Sequence, residues 1–240
     1  MSEAVEVLRQ FKGFSYFTEM SDIINRLEDH VASARMKTTP VIDFEKNESL
    51  KGLDYLDTIY HAIVNEHPIQ LKYRSFKARS ANSFIFYPYL LKEYRNRWFV
   101  YGVRGNGRIL QNLALDRIQS LEVLPQEHYI KNTFFDPNTF FDDLVGVTKN
   151  TGSVAEKVGF KVAAAEAPYI ITKPIHRSQQ VMERLADGSV ILEIEVVINH
   201  ELERVFFRYA EGIQVLYPKT LVELMGRKLK KAAEQYTHSK

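Results

Sequence analysis

The residue types that could do chemistry concentrate in one block. Residues 72–117 hold 10 Lys/Arg against 2 Asp/Glu, a net +8. Interleaved with these cations are Tyr73, Phe76, Phe84, Phe86, Tyr87, Tyr89, Tyr94, Trp98, Phe99 and Tyr101. Guanidinium and ammonium groups neutralise phosphate, and ring faces stack bases at about 1–3 kcal/mol per stack. Charges that share a face attract a polyanion; the same charges scattered are only a solvated surface. Lys72, Arg74, Arg79, Arg97 and Arg117 are the candidates for phosphate contacts, with Tyr73, Trp98 and Phe99 shaping or stacking in the site. Large side chains also fill small barrels, so more than half of the rings are expected in a core. Strand alternation sets Lys72 and Arg74 opposite Tyr73, and Trp98 opposite Arg97 and Phe99. One pocket therefore does not take them all, and parity leaves open whether Trp98 or Phe99 faces the core.

Groups for making and breaking bonds are scarce. The chain has no G-x-S-x-G elbow and no phosphate-binding P-loop. Gly102, Gly105 and Gly107 precede strand-like rather than helical sequence, which suits a hairpin turn. The seven histidines form no H-E-x-x-H pair or other close ligand cluster. There is no cysteine, hence no thiolate nucleophile, disulfide or Cys-ligated zinc. Glu193 and Glu195 sit at strand spacing opposite Leu192, Ile194 and Val196 and are expected to face water. No enzyme, cofactor or resident metal is expected. His176, in Pro174-Ile175-His176-Arg177-Ser178-Gln179, is a candidate binding residue; its alternative reading is a loop histidine with local hydrogen bonds.

Three kinds of segment position these residues. Residues 1–67 read as a helical connector with a net −5 over residues 1–71. In it, Phe17, Met20, Ile24, Leu27 and Val31 recur at steps of three and four. Leu53, Leu56, Tyr60 and Ile63 resume the helical period, and Pro68 ends it. Residues 68–126 alternate as strands at Ile69–Tyr73, Phe84–Leu91, Trp98–Val103, Ile109–Leu115 and Ile118–Leu124, with Pro88 marking an edge or bulge. Short turns between five strands predict a small SH3-like or Sm-like β-barrel. Residues 127–154 are a linker, and residues 155–240 read in the βαββαβ order of a ferredoxin-like sandwich followed by a helix. The fold class is α+β.

The whole chain of 240 residues is 45% hydrophobic and 26% charged, ordinary for a folded protein. No run reaches the roughly 18 apolar residues of a membrane span. The N-terminus lacks a basic-then-apolar signal layout. These features point to a cytoplasmic protein with no membrane partner.

An ordered set of motifs resembles a known family. Arg97-Trp98-Phe99-Val100-Tyr101-Gly102 is similar to the signature of the WYL domain. Upstream, Ile69-x-Leu71-x-Tyr73-x-Ser75 and Pro88-Tyr89-x-Leu91 continue the likeness; downstream, Leu113-Ala114-Leu115-Asp116-Arg117-Ile118 resembles the family's L-D-R-I ending. Residues 155–236 resemble the WCX extension, with His176-x-Ser178-Gln179, Asp187-Gly188 and Val215-Leu216-x-Pro218. The resemblance implies a bacterial transcriptional regulator whose Sm-like barrel senses a ligand, single-stranded nucleic acid or nucleotide in some members, and whose chains form homodimers. The usual winged helix-turn-helix precedes the barrel. Residues 1–50 are acidic, with one clear amphipathic face, and resemble the connector that follows such a head. Promoter DNA would then be contacted only through a separate or missing head.

Two departures matter. The signature reads Trp-Phe-Val rather than Trp-Tyr-Leu, which removes the middle hydroxyl. Phe84-Ile85-Phe86-Tyr87 occupies a strand in which the family commonly carries an arginine. The expected function is a non-enzymatic sensor of an anionic ligand; the alternative is a dimerisation or protein-interaction module without its own ligand.

Overall fold

The computed structural model describes residues 51–105 and 109–237. The amphipathic face at Phe17–Val31, the question of a DNA-binding head and the Asn106-Gly107 turn lie outside the described residues. The chain forms two units, divided between Phe134 and Phe135.

The first unit opens with a 3-10 turn at Leu53–Tyr55 and helix α1, Leu56–Val64. Nine residues are too few for a stable free helix, so packing must hold this one. Leu56, Ile59 and Ala62 supply that packing at steps of three. They bury against Ile69, Leu71, Phe86, Val100, Leu113, Leu115 and Ile118. Strands β1 (Ile69–Tyr73), β2 (Asn82–Tyr94), β3 (Arg97–Arg104), β4 (Leu110–Ala114) and β5 (Ile118–Val123) form one antiparallel sheet in the order β4-β3-β2-β1-β5. A 3-10 turn at Leu115–Arg117 carries the chain from the β3 side of this sheet to the β1 side. One short turn spanning both edges forces the sheet to curl into the SH3/Sm-like form. Gly52 holds a φ of +87° and lies against this turn: a Cβ there would stand 2.4 Å from the Leu115 carbonyl carbon. Glycine is required by both conformation and space.

Pro88 lies in β2 beyond the part of that strand paired with β1, and the β2–β3 register shifts between Pro88 and Leu90. The missing N–H thus interrupts no ladder on the β1 side. The Pro88 carbonyl accepts the Tyr129 hydroxyl instead. Tyr129 meets Tyr87 and Tyr89 edge-on, and Tyr89 stacks on Phe134. Residues 127–134 are therefore laced to β2 by rings.

The second unit has strands β6 (Glu156–Val162), β7 (Gln180–Arg184), β8 (Val190–Val196) and β9 (Ile213–Tyr217), with helices α2 (Ala167–Thr172), α3 (His200–Tyr209) and α4 (Lys219–Thr237). The sheet order β7-β8-β6-β9, all antiparallel, is that of a ferredoxin-like sandwich. Alternate residues Val158, Phe160 and Val162 of β6 and Leu192, Ile194 and Val196 of β8 face the helices. Phe160 meets Phe206 of α3 with ring centroids 5.2 Å apart. On the opposite face, Glu195 is exposed. Glu193 accepts the Tyr217 hydroxyl at 2.7 Å and pairs with Lys157 at 3.0 Å. Those two contacts hold its carboxyl below the usual range.

Residues after Phe134 also belong to this body. Val145 enters its core, and Val197 N–H donates to the Asp143 carbonyl at 2.8 Å. Asn199 caps α3 by accepting from Leu202 N–H at 2.9 Å. Its Nδ2 donates to the Val145 and Thr148 carbonyls at 3.0 and 2.9 Å.

Candidate functional site

The sheet register assembles the candidate site. Phe99 pairs with Ala114 across β3 and β4. Continued by two residues, that antiparallel register sets Arg97 opposite Asp116. The observed contact follows: Arg97 Nε lies 3.1 Å from Asp116 Oδ2. On the other side, Tyr73 pairs with Ile118, and Arg74 N–H donates to the Arg117 carbonyl at 3.1 Å. The 3-10 turn therefore delivers Asp116 to the start of β3 and Arg117 to the end of β1.

Arg117 has three neighbours there. Its Nε lies 3.7 Å from Asp116 Oδ1. The guanidinium covers the Phe76 ring at 4.4 Å from the centroid. It also donates to the Tyr73 hydroxyl. Burial raises the Tyr73 phenol above its ordinary value, and the Arg117 cation pulls against that rise. Asp116 Oδ1 and Arg117 Nε are both buried without a hydrogen bond. Two cations share one carboxylate, which leaves the cluster with a net +1. Phe76 beside them is 73% exposed, an open ring face next to a fixed cation. Such a surface suits a phosphate and a planar group together.

The other sequence candidates distribute differently. Trp98 packs on the first unit's core together with Val100 of the same parity, while Phe99 lies on the other face, half-buried. Lys72, Arg74 and Arg79 are exposed. Alternation along β1 places Lys72 away from Leu71 and Tyr73, so it stands apart from the Tyr73–Arg117 contact. His176 belongs to the second unit, and its ring is engaged there. Nδ1 accepts from Ser178 N–H at 3.2 Å and lies 2.8 Å from Ser178 Oγ. The ring also meets the Asp142 backbone. Burial, helped by neighbouring Arg177, holds the imidazole below its ordinary value.

Sequence reasoning passed over two members of the cluster. Asp116 is one of only two acids among residues 72–117, and the hairpin register sets it across from Arg97. That combination was the available signal. Phe76 carried none, because a ring in a loop reads the same whether it is buried or bare. Of the ten rings, all within the described residues, Phe86, Tyr89 and Tyr101 are buried and Phe76 alone is exposed. Among the described residues no three His, Asp or Glu side chains gather into a metal-binding group. No described helix is long and apolar enough to cross a membrane.

A small curled barrel with a 3-10 closure, followed by a ferredoxin-like sandwich, defines a two-domain class, and the sequence comparisons place the chain in it. The chain belongs to the proteins that join a WYL domain, matched over residues 54–123, to a WCX domain, matched over residues 155–233. Among solved structures it is similar to proteasome accessory factor B/C (PafBC) of Arthrobacter aurescens, at 16% identity and a TM-score of 0.31. That likeness covers 80% of this chain and 28% of the other. It is also similar to a CRISPR Cas-related protein at 12% identity and a TM-score of 0.46, over 78% of this chain and 52% of the other. The chain thus spans about a quarter and about half of these two neighbours. No curated protein matches it. The paired domains mark a regulatory, ligand-sensing type of chain.

Proposed function

We propose that this chain is the non-enzymatic sensing region of a bacterial transcriptional regulator, and that its first unit binds an anionic ligand, a short single-stranded nucleic acid or a nucleotide. The observation that carries the reading is the convergence of Arg97 and Arg117, 20 positions apart, on Asp116 beside the bare ring of Phe76. Arg117 and Arg97 contact phosphate, Phe76 stacks a base, and Tyr73 holds the Arg117 guanidinium in place. Lys72, Arg74 and Arg79 extend the positive field for flanking phosphates. Trp98 and Phe99 shape the strand beneath. His176, in the second unit, keeps its own loop in register. The protein works in the cytoplasm as a homodimer, and contact with promoter DNA runs through a winged helix-turn-helix on this or another chain.

The test is fluorescence anisotropy with a labelled single-stranded DNA and its duplex, on protein stripped of nucleic acid, at three salt concentrations. Log affinity should fall with log salt by about 0.7 per phosphate neutralised. Arg97→Ala and Arg117→Ala should each weaken binding roughly 10-fold or more, the loss of a charge-assisted hydrogen bond. Wild-type affinity in both folded variants, or binding indifferent to salt, would falsify the reading.

A further inference from the structure

The two arginines that face phosphate carry their own anion. Among the described residues, Asp116 is the one carboxylate paired with Arg97 or Arg117. It is the least exposed of the three side chains. Its Oδ1 is buried and accepts no hydrogen bond. The turn that carries it is pinned from several sides. A Cβ at Gly52 would stand 2.7 Å from the Asp116 nitrogen, so the backbones already touch there. Arg74 N–H donates to the Arg117 carbonyl at 3.1 Å, and the Tyr55 hydroxyl donates to the Gln119 carbonyl at 3.1 Å. The carboxylate is therefore a fixed charge that does not swing out of the site. Arg74, Lys77 and Arg79, at the end of β1 and in the loop after it, are exposed, so water and salt screen them more than they screen Asp116.

Phosphates differ in charge. A phosphate inside a strand is a diester with one negative charge. A phosphate on a free nucleotide or at a strand end is a monoester, which approaches two charges above its second ionisation at about pH 6. Arg97, Arg117 and Asp116 sum to +1. A bound diester brings that cluster to neutrality. A bound monoester leaves it at −1, beside the Oδ1 that lacks a hydrogen bond. Attraction to the arginines grows in proportion to the ligand's charge, whereas the cost of dehydrating an ion grows with its square. Asp116 in turn repels a dianion twice as strongly as a monoanion at the same distance. The bare ring of Phe76 offers a stacking face for the base next to that phosphate.

We propose that Asp116 is the specificity-determining residue of this site: it admits the phosphodiester within a strand and turns away the phosphomonoester of a free nucleotide or a phosphorylated end. The inference rests on the reading of Arg97 and Arg117 as phosphate contacts, and it narrows their ligand from strand or nucleotide to a diester beside a base. Without the carboxylate the same two arginines would make a +2 site suited to a dianion. With it, discrimination comes from a repulsive element built into the attractive one. A sensor made this way responds to strands and ignores mononucleotides.

The test uses two competitors that differ by one charge and one methyl group: thymidine 5′-monophosphate and its methyl ester. Each displaces a labelled single-stranded DNA from the full chain, followed by anisotropy at about pH 8, where the monoester is a dianion. The methyl ester should displace the strand at a several-fold lower concentration. In Asp116→Asn that preference should shrink by roughly 3–10-fold, because the repulsion removed, taken at about 6 Å and an effective dielectric of about 40–80, counts once more for the second charge. A merely structural loss would weaken both competitors alike and leave their ratio unmoved. Uridine 5′-monophosphate and its methyl ester repeat the comparison with ribose. A methyl-ester preference in either series supports the proposal, and the stronger series names DNA or RNA as the source. Tighter binding of the monoester by wild type in both series, or an unchanged ratio in folded Asp116→Asn, overturns the proposal and leaves the arginine site standing. A labelled strand whose binding is indifferent to both Arg97→Ala and Arg117→Ala overturns the site itself, and the role of Asp116 with it.

Discussion

Asp116→Asn should weaken the fold and strengthen ligand binding, and the opposite signs make it diagnostic. The Asp116 side chain is 14% exposed, Arg97 47% and Arg117 26%. This is neither a surface pair, at about 0.2–1 kcal/mol, nor a fully buried one, whose breaking costs about 3–5 kcal/mol. Asparagine keeps an oxygen that accepts from Arg97 Nε, so geometry survives while the charge goes. A cost of about 2 kcal/mol follows from these bounds, or roughly 4–8 °C in Tm for a chain of this size. Binding moves the other way. A phosphate held by the two arginines would sit about 6 Å from the carboxylate; at an effective dielectric of about 40–80, removing that negative charge is worth about 0.7–1.4 kcal/mol. Single-strand affinity should rise roughly 3–10-fold at low salt, with the gain shrinking as salt screens it. Thermal melting and anisotropy on the same preparation read both effects. A folded Asp116→Asn protein that binds as weakly as wild type, or more weakly, refutes the idea that this carboxylate competes with ligand for the arginines.

Four further outcomes follow from the packing. Tyr129→Phe should cost about 1 kcal/mol in chemical denaturation, since it leaves the Pro88 carbonyl without its partner; in alkaline titration the Tyr89 phenol, pushed up to about 12 by burial, should stay protonated after exposed tyrosines ionise. Gly146→Ala should destabilise far more than Gly152→Ala. Both have positive φ, +95° and +80°, but only Gly146 has a neighbour in the way: the Glu201 Cγ lies 2.5 Å from where the added methyl would stand, while Gly152 faces open space. Melting temperatures of the two variants decide it. The depressed His176 means that the unfolded chain binds this proton more readily than the folded one, so its contribution to stability is full above the ordinary imidazole value of about 6.5 and is lost as pH falls through the folded value. Urea titrations stepped downward from about pH 7.5 should show that loss, and His176→Gln should flatten it.

Much of the architecture was legible in the residues because local rules and tertiary packing agree here. Period-two alternation located β1, β3 and β5 to within a residue or two, and Pro88 announced the irregularity found between Pro88 and Leu90. The order of elements after Glu156 carried the ferredoxin-like topology, since a hairpin at Asp187-Gly188 and two helical crossovers allow few alternatives. Residues 127–154 read as a linker, yet Tyr129 and Phe134 pack on β2 and Val145 packs in the second unit. Phe and Tyr in a segment without period give no sign of which surface will receive them.

The sequence by itself determined the two-domain class, the positive block and the absence of a thiol, since composition, period and ordered motifs depend only on neighbours along the chain. Tertiary structure alone decided which rings and cations act together. Strand parity left Trp98 and Phe99 equivalent until β3 had a core side, and Trp98 took it with Val100. Arg97 and Arg117 became one site through the register Phe99 with Ala114 and a 3-10 turn that passes from one sheet edge to the other. Proximity of that kind is a property of pairing in three dimensions: a shift of one residue in register would turn Asp116 to the other face and leave both arginines where the sequence had them, but no longer joined.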